Sequence, residues 1–207
     1  MVGIYVYYDA SLSYRGINFG LLEGTEGLLI VKTGSGGSIY GYGEKYLKLG
    51  VRIKEKYAMS VIVSDNPLEI SSLDNMVVTM DVADKYRKEK SISQVYYFGV
   101  SKGGQYAAMY GYRYKWVSKW LSLNMPLFIN WHQSKEGLEQ LLHPQNMILL
   151  FGDRDPSYPY VEIIDTVNND NIKKVIIPNA DHNLSGGIEE FLSLPEKHLF
   201  SNKDNVV

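Results

Sequence analysis

Short, unbroken apolar runs recur along the chain: Gly27-Leu28-Leu29-Ile30-Val31-Lys32, Met59-Ser60-Val61-Ile62-Val63, Val95-Tyr96-Tyr97-Phe98, Met147-Ile148-Leu149-Leu150-Phe151 and Val175-Ile176-Ile177. Runs without polar alternation predict strands buried on both faces. A strand-like stretch over 116–123 ends in Asn124-Met125-Pro126, and an N-terminal β region is expected at about 3–8 and 16–22. Between these lie longer stretches that read as helices, at about 40–57, 73–88, 103–112, 134–142, 160–167 and 188–192. Strands alternating with helices imply right-handed crossovers. The expected fold is therefore α/β, with a mainly parallel central sheet and helices on both faces, in one domain over 1–207.

Composition narrows the function. The chain has 207 residues, 45% of them hydrophobic, so one well-filled core is expected without disulfide or metal staples. Net charge is -2, which argues against a nucleic-acid or anionic-lipid partner. There is no cysteine, which excludes thiol catalysis and Cys-based metal sites. The start, Met1-Val2-Gly3-Ile4-Tyr5-Val6, has no basic leader, and no apolar run is long enough to span a bilayer. A cytoplasmic protein without a membrane span is the expectation. Seventeen tyrosines are scattered rather than clustered, as strand propensity and amphipathic surface packing require.

Three segments carry chemistry, each just after a predicted strand. Gly99-Val100-Ser101-Lys102-Gly103 is a G-x-S-x-G pattern between a strand and the small-residue run Gly103-Gly104-Gln105-Tyr106-Ala107-Ala108. Such a turn strains the serine backbone and needs glycines where neighbouring chains approach. It aims a hydroxyl toward a helix N-terminus, where backbone N–H groups favour negative charge. Gly152-Asp153-Arg154-Asp155-Pro156 places two carboxylates after the next strand but one, and Asn179-Ala180-Asp181-His182 places a histidine after the last. A hydroxyl needs a base to become a nucleophile, and the base needs a carboxylate to fix its tautomer. Ser101 and His182 are the expected nucleophile and base. His132, His143 and His198 have poorer positions, in or near a helix or in the C-terminal tail.

With these residues, over about 27–192, the chain resembles the α/β-hydrolase superfamily, in particular its small, lidless esterases and carboxylesterase-like members. The order Ser, Asp, His is that of the superfamily. The resemblance implies that Asp155, the carboxylate before Pro156, is the triad acid, with Asp153 capping the loop. It also implies an oxyanion hole from the backbone N–H of Lys102 and that of Ser35 in Thr33-Gly34-Ser35-Gly36-Gly37. Thr33 stands where histidine is common in the family. The Lys102 side chain reads either as a helix-surface cation or as a cation at the pocket mouth. Tyr40, Trp131 and Tyr158 follow strand ends and are candidate pocket residues.

The reading is a serine hydrolase that cleaves an ester without cofactor or metal. The short segment after Leu123 leaves no room for a cap, so the site is expected to be shallow. That suits small acyl groups, on a small molecule or displayed on a glycan. An acyltransferase could use the same triad, and a non-catalytic accessory protein could keep the fold. A dinucleotide-binding unit at Gly34 is disfavoured, because Ile39 stands where the third glycine would be and Asp65 lies too far on.

Overall fold

The computed structural model describes residues 7–200. Strands β1 (Ala10–Tyr14), β2 (Ile17–Leu22), β3 (Leu28–Lys32), β4 (Ser60–Ser64), β5 (Val95–Val100), β6 (Lys119–Leu123), β7 (Asn146–Gly152) and β8 (Ile172–Ile177) form one sheet in the order β1-β2-β4-β3-β5-β6-β7-β8. The β1–β2 and β2–β4 pairings are antiparallel, and β4 through β8 run parallel. The helices are α1 (Lys45–Tyr57), α2 (Ser72–Glu89), α3 (Lys102–Tyr110), α4 (Trp131–Glu139) and α5 (Ile188–Pro195).

Strict alternation along the central strands divides two cores. Leu28 and Ile30 of β3 face the layer of α2, α3 and α4, with Met76, Ala107 and Leu138. Leu29 and Val31 face α1 and α5, with Ile53 and Phe191. Both faces are covered, which is why these strands carry no polar alternation.

Three details differ from the sequence reading. The first strand lies at 10–14; the expected one at 3–8 falls mostly outside the described residues, and Tyr7 and Tyr8 are not in a strand. The segment 158–166 is a 3₁₀ stretch, with Pro159 in its first turn and β-branched Val161, Ile163 and Ile164, all poor α-helix formers. The helix expected from Tyr40 begins only at Lys45, after a short 3₁₀ turn in which Gly43 has φ 59°. No helix among the described residues is long and apolar enough to cross a membrane.

One buried cation braces the carboxyl edge of the sheet. Lys32, the last residue of β3, is fully buried. Its Nζ donates to Ser64 Oγ (3.0 Å), the Asp65 carbonyl (2.5 Å) and Asn75 Oδ1 (3.0 Å), which matches three ammonium protons to three acceptors. Burial nevertheless pulls its pKa down to about 7, against the opposing pull of Asp65. Next to it, Asn66 donates from Nδ2 to the Thr33 carbonyl (3.0 Å), and its backbone pairs with Gly36 and Gly37. Tyr106 OH completes the Asn66 amide at Oδ1 (3.1 Å). The glycine loop 33–37 is thereby fixed to the end of β4.

Lys32→Met removes the donor for three acceptors and should lower stability by about 1–3 kcal/mol, the cost of an unpaired buried polar group. The pH dependence has a definite sign. Between about pH 7 and the ordinary lysine range, the unfolded chain holds a proton that folded Lys32 has lost. Wild-type stability therefore gains relative to Lys32→Met as pH rises through that window. Denaturant melts of both proteins across it measure the gap, which should widen.

Candidate active site

All three chemical segments emerge at the carboxyl end of the parallel strands, as expected for ligand sites in such sheets. Ser101 sits between β5 and α3 with φ 51° and ψ -117°, a strained conformation for a residue with a side chain. Two backbone bonds hold it there: Ser101 N donates to the Leu123 carbonyl (2.7 Å) and Gln105 N to the Ser101 carbonyl (3.0 Å). The turn closes only because α3 packs directly on strand backbone. A Cβ on Gly103 would lie 2.5 Å from the Lys32 carbonyl oxygen, and one on Gly99 would lie 2.5 Å from the Gly103 carbonyl carbon. From beneath, the buried Tyr97 hydroxyl donates to the Gly103 carbonyl (2.9 Å).

A hydrogen-bonded chain joins the three predicted residues. His182 Nε2 lies 3.1 Å from Ser101 Oγ, and His182 Nδ1 lies 2.5 Å from Asp155 Oδ2. The Asp155 side chain is fully buried, whereas that of His182 is 41% exposed. Asp155 Oδ1 accepts from the Ser157 N–H (2.7 Å), so both carboxylate oxygens are engaged. Of the two carboxylates, only Asp155 reaches the histidine. Asp153 does not cap the loop through its side chain as expected: its Oδ1 is buried without a partner. The turn is held instead by Asp155 and by backbone bonds from Asp153 N to Ile177 O and from Arg154 N to Ala180 O.

The sequence reading treated Asn124 only as a strand stop. Its fully buried side chain joins the acid and base loops: Oδ1 accepts from Gly152 N (2.9 Å), and Nδ2 donates to the carbonyls of Asp181 and His182 (both 3.1 Å). Its φ of 50° aims the carboxamide between the loops, a conformation asparagine tolerates better than most residues. Gln105 plays a similar part on the next loop, donating from Nε2 to the carbonyls of Pro126 and Ile129. No local signal in the sequence marks either amide, because their partners lie far away in the chain.

The other expected residues are dispersed. The loop bearing Ser35 reaches the nucleophile: a Cβ on Gly34 would lie 3.3 Å from Ser101 Cβ. Ser35 itself is exposed. Lys102 opens α3, and its Nζ turns along the helix to Gln105 Oε1 (2.8 Å). Tyr158 follows the acid loop and is half-exposed, its N–H donating to the Asp155 carbonyl. Tyr40 packs against Tyr8, with ring centroids 5.6 Å apart, and Trp131 packs against the core beneath α4. His132 and His143 are exposed, and neither bonds Ser101.

The comparisons agree with this architecture. No family model matches the chain, and no curated protein matches it in sequence. Among solved structures, Est1E from Butyrivibrio proteoclasticus superposes with a TM-score of 0.73 at 13% identity, over 92% of this chain and 97% of that one. An α/β serine hydrolase homologue from Coxiella burnetii gives 0.70 at 14%, over 94% and 99%. A serine hydrolase without lid from Xanthomonas campestris gives 0.67 at 14%, over 94% and 95%. At these identities the likeness is one of fold, and with its sheet order and uncapped strand ends the chain has the α/β-hydrolase fold.

Proposed function

We propose that the protein is a serine hydrolase acting on esters with short acyl groups. The observation that carries the reading is the chain Ser101 Oγ, His182 Nε2, His182 Nδ1, Asp155 Oδ2, with the carboxylate buried and the ring reachable from solvent. His182 takes the Ser101 proton as the oxygen attacks the ester carbonyl, and Asp155 orients the ring and stabilises the imidazolium. The oxyanion faces the backbone N–H groups of Lys102 and Ser35, the first aided by the N-terminus of α3. His182 then protonates the leaving alcohol, and water releases the acyl group by the reverse sequence. The open side of His182 gives that water access, which favours hydrolysis over acyl transfer.

Segment 124–130, between β6 and α4, is the place where a cap would be inserted; its seven residues instead form a loop clasped by Gln105. An uncapped site buries little acyl chain, and each buried CH₂ adds only about 0.8 kcal/mol. This supports the short-acyl preference.

Labelling with a fluorophosphonate probe should modify Ser101, and Ser101→Ala should abolish labelling while lowering kcat by roughly 10⁴–10⁶. Unchanged hydrolysis by Ser101→Ala would overturn the reading. On p-nitrophenyl esters from acetate to dodecanoate, rates should fall with chain length; a maximum at the long end would sink the short-acyl preference.

The two carboxylates of the acid loop should separate in kinetics. Asp155→Asn should cost on the order of 10⁴ in kcat, and Asp153→Asn far less. Asn124→Ala should lower kcat about 10²-fold with KM little changed, because it loosens the base and acid without touching substrate. A loss in KM alone would remove Asn124 from the positioning of the triad.

A further inference from the structure

A cavity of about 780 Å³ lies between the base loop and the segment that follows the oxyanion loop. Asn183, Leu184 and Ser185 wall one side, Tyr42, Lys45 and Lys48 the other, and Phe191 of α5 also lines it. Two connections tie it to the catalytic centre. Asn183 directly follows His182. Behind the lining residue Phe191, the buried Tyr46 ring packs edge-on against it (5.8 Å), while the Tyr46 hydroxyl meets the backbone of Gly34, the residue packed on Ser101.

The charge on this wall is one-sided. Helix α1 carries five cations, and three of them are paired: Arg52 with Glu189 and Glu196, Lys54 with Asp9, and Lys56 with Glu196. Lys45 and Lys48 have no carboxylate partner among the described residues. Lys48 Nζ donates to the Gly43 carbonyl (2.7 Å). Lys45 Nζ rests over the rings of Tyr46 and Phe191, 5.3 and 5.0 Å from their centroids. None of the residues lining the cavity is acidic. Of the acids nearby, Glu189 binds Arg52 and Asp181 Oδ1 accepts the N–H groups of Asn183 and Ser185, while Glu44 and Glu190 adjoin lining residues in the chain without lining the cavity themselves. Burial also draws the Lys45 pKa below the ordinary lysine value, so its charge lacks full compensation.

Building on the esterase reading, we infer that this cavity is the subsite for the leaving alcohol and that the alcohol carries an anionic group, a carboxylate or phosphate, bound by Lys45 and Lys48. The assignment to the alcohol side follows from the chemistry, since His182 delivers its proton to the leaving oxygen and the cavity adjoins the His182 loop. The apolar part of the wall, Leu184, Ile188 and Phe191, suits a compact ring or short carbon body between ester and anion.

The test compares phenyl acetate with 4-acetoxybenzoate, which differ in one carboxylate on the leaving group. The readout is the ratio of kcat/KM for the anionic over the neutral ester. That ratio should fall about tenfold in Lys45→Gln, further in Lys45→Gln/Lys48→Gln, and recover in Lys45→Arg. Lys54→Gln, toward the far end of α1 and paired with Asp9 away from the cavity, should keep the wild-type ratio. Added salt should lower the wild-type ratio and leave that of the double variant nearly flat. A ratio unmoved by either lysine overturns the subsite. If wild type shows no Ser101-dependent hydrolysis of either ester, the esterase reading fails instead. Calorimetric titration with 4-hydroxybenzoate then decides the subsite alone: binding weakened by Lys45→Gln upholds it, and absence of binding overturns it.

Discussion

Three strand ends must be held within hydrogen-bond reach of one another, and the buried edge of β6 does this. The Leu123 carbonyl takes the Ser101 N–H, and the next residue, Asn124, spends its side chain on the acid loop at Gly152 and the base loop at Asp181 and His182. The asparagine carboxamide holds a separate acceptor oxygen and a two-proton donor nitrogen on one short side chain, so a single buried group can register two loops. An apolar replacement would leave a buried N–H and two buried carbonyls short of partners, each a cost of about 1–3 kcal/mol. The same economy of space appears at Gly152, where any Cβ would collide with the Ala180 carbonyl. Acid and base loops are close because neither carries bulk at their crossing.

The glycine loop 33–37 is held by a separate device of the same kind. Asn66 binds the Thr33 carbonyl, and Lys32 binds the Asp65 carbonyl one residue earlier, so the loop inherits its position from the end of β4. Lys32 and Asn66 are buried and hydrogen-bonded, the condition under which a polar network stiffens a structure. For the proposed oxyanion hole such stiffness matters, because preorganised donors stabilise developing charge without having to reorient as it forms. The two devices flank the strained Ser101 turn and keep a conformation that the serine backbone alone would leave.

The central strands, the strand–Ser–helix turn, the acid loop and the base loop are legible in the sequence because each is encoded locally. Apolar runs mark strands buried on both faces, and Gly99, Gly103 and Gly152 mark close approaches. Which carboxylate faces His182 is a matter of a two-residue offset in a turn, and residue type alone does not resolve it. Asn124 and Gln105 escaped notice because their partners lie 21 to 58 residues away in the chain, and nothing local distinguishes such residues from surface amides. The 3₁₀ stretch after Tyr158 misled for a different reason. Its apolar spacing fits a helix, while Pro159 and the β-branched residues that follow disfavour an α-helical backbone. Tyr40 and Trp131 follow strand ends, yet one packs on a neighbouring tyrosine and the other on the core. Position after a strand does not by itself direct a ring toward the site.

An open site has to gain specificity without burying its substrate, and the distribution of charge on α1 bears on how. Toward its C-terminus the helix is cross-linked to the last described segment: Arg52 binds Glu189 at the start of α5 and Glu196 just past its end, and Lys56 also binds Glu196. These pairs are partly exposed, so their contribution to global stability is small. Their mechanical effect is local, because α5 begins only a few residues after His182. They fix the wall that carries Phe191 against the wall that carries Lys45 and Lys48. A charge held on a fixed wall discriminates by position, since a misplaced anion gains little from it. Screened, half-exposed lysines do not supply high affinity, but they need not. Under the proposed ester hydrolysis the uncapped site gains little binding from the acyl group, so a modest electrostatic preference on the alcohol side would suffice to decide which esters are turned over.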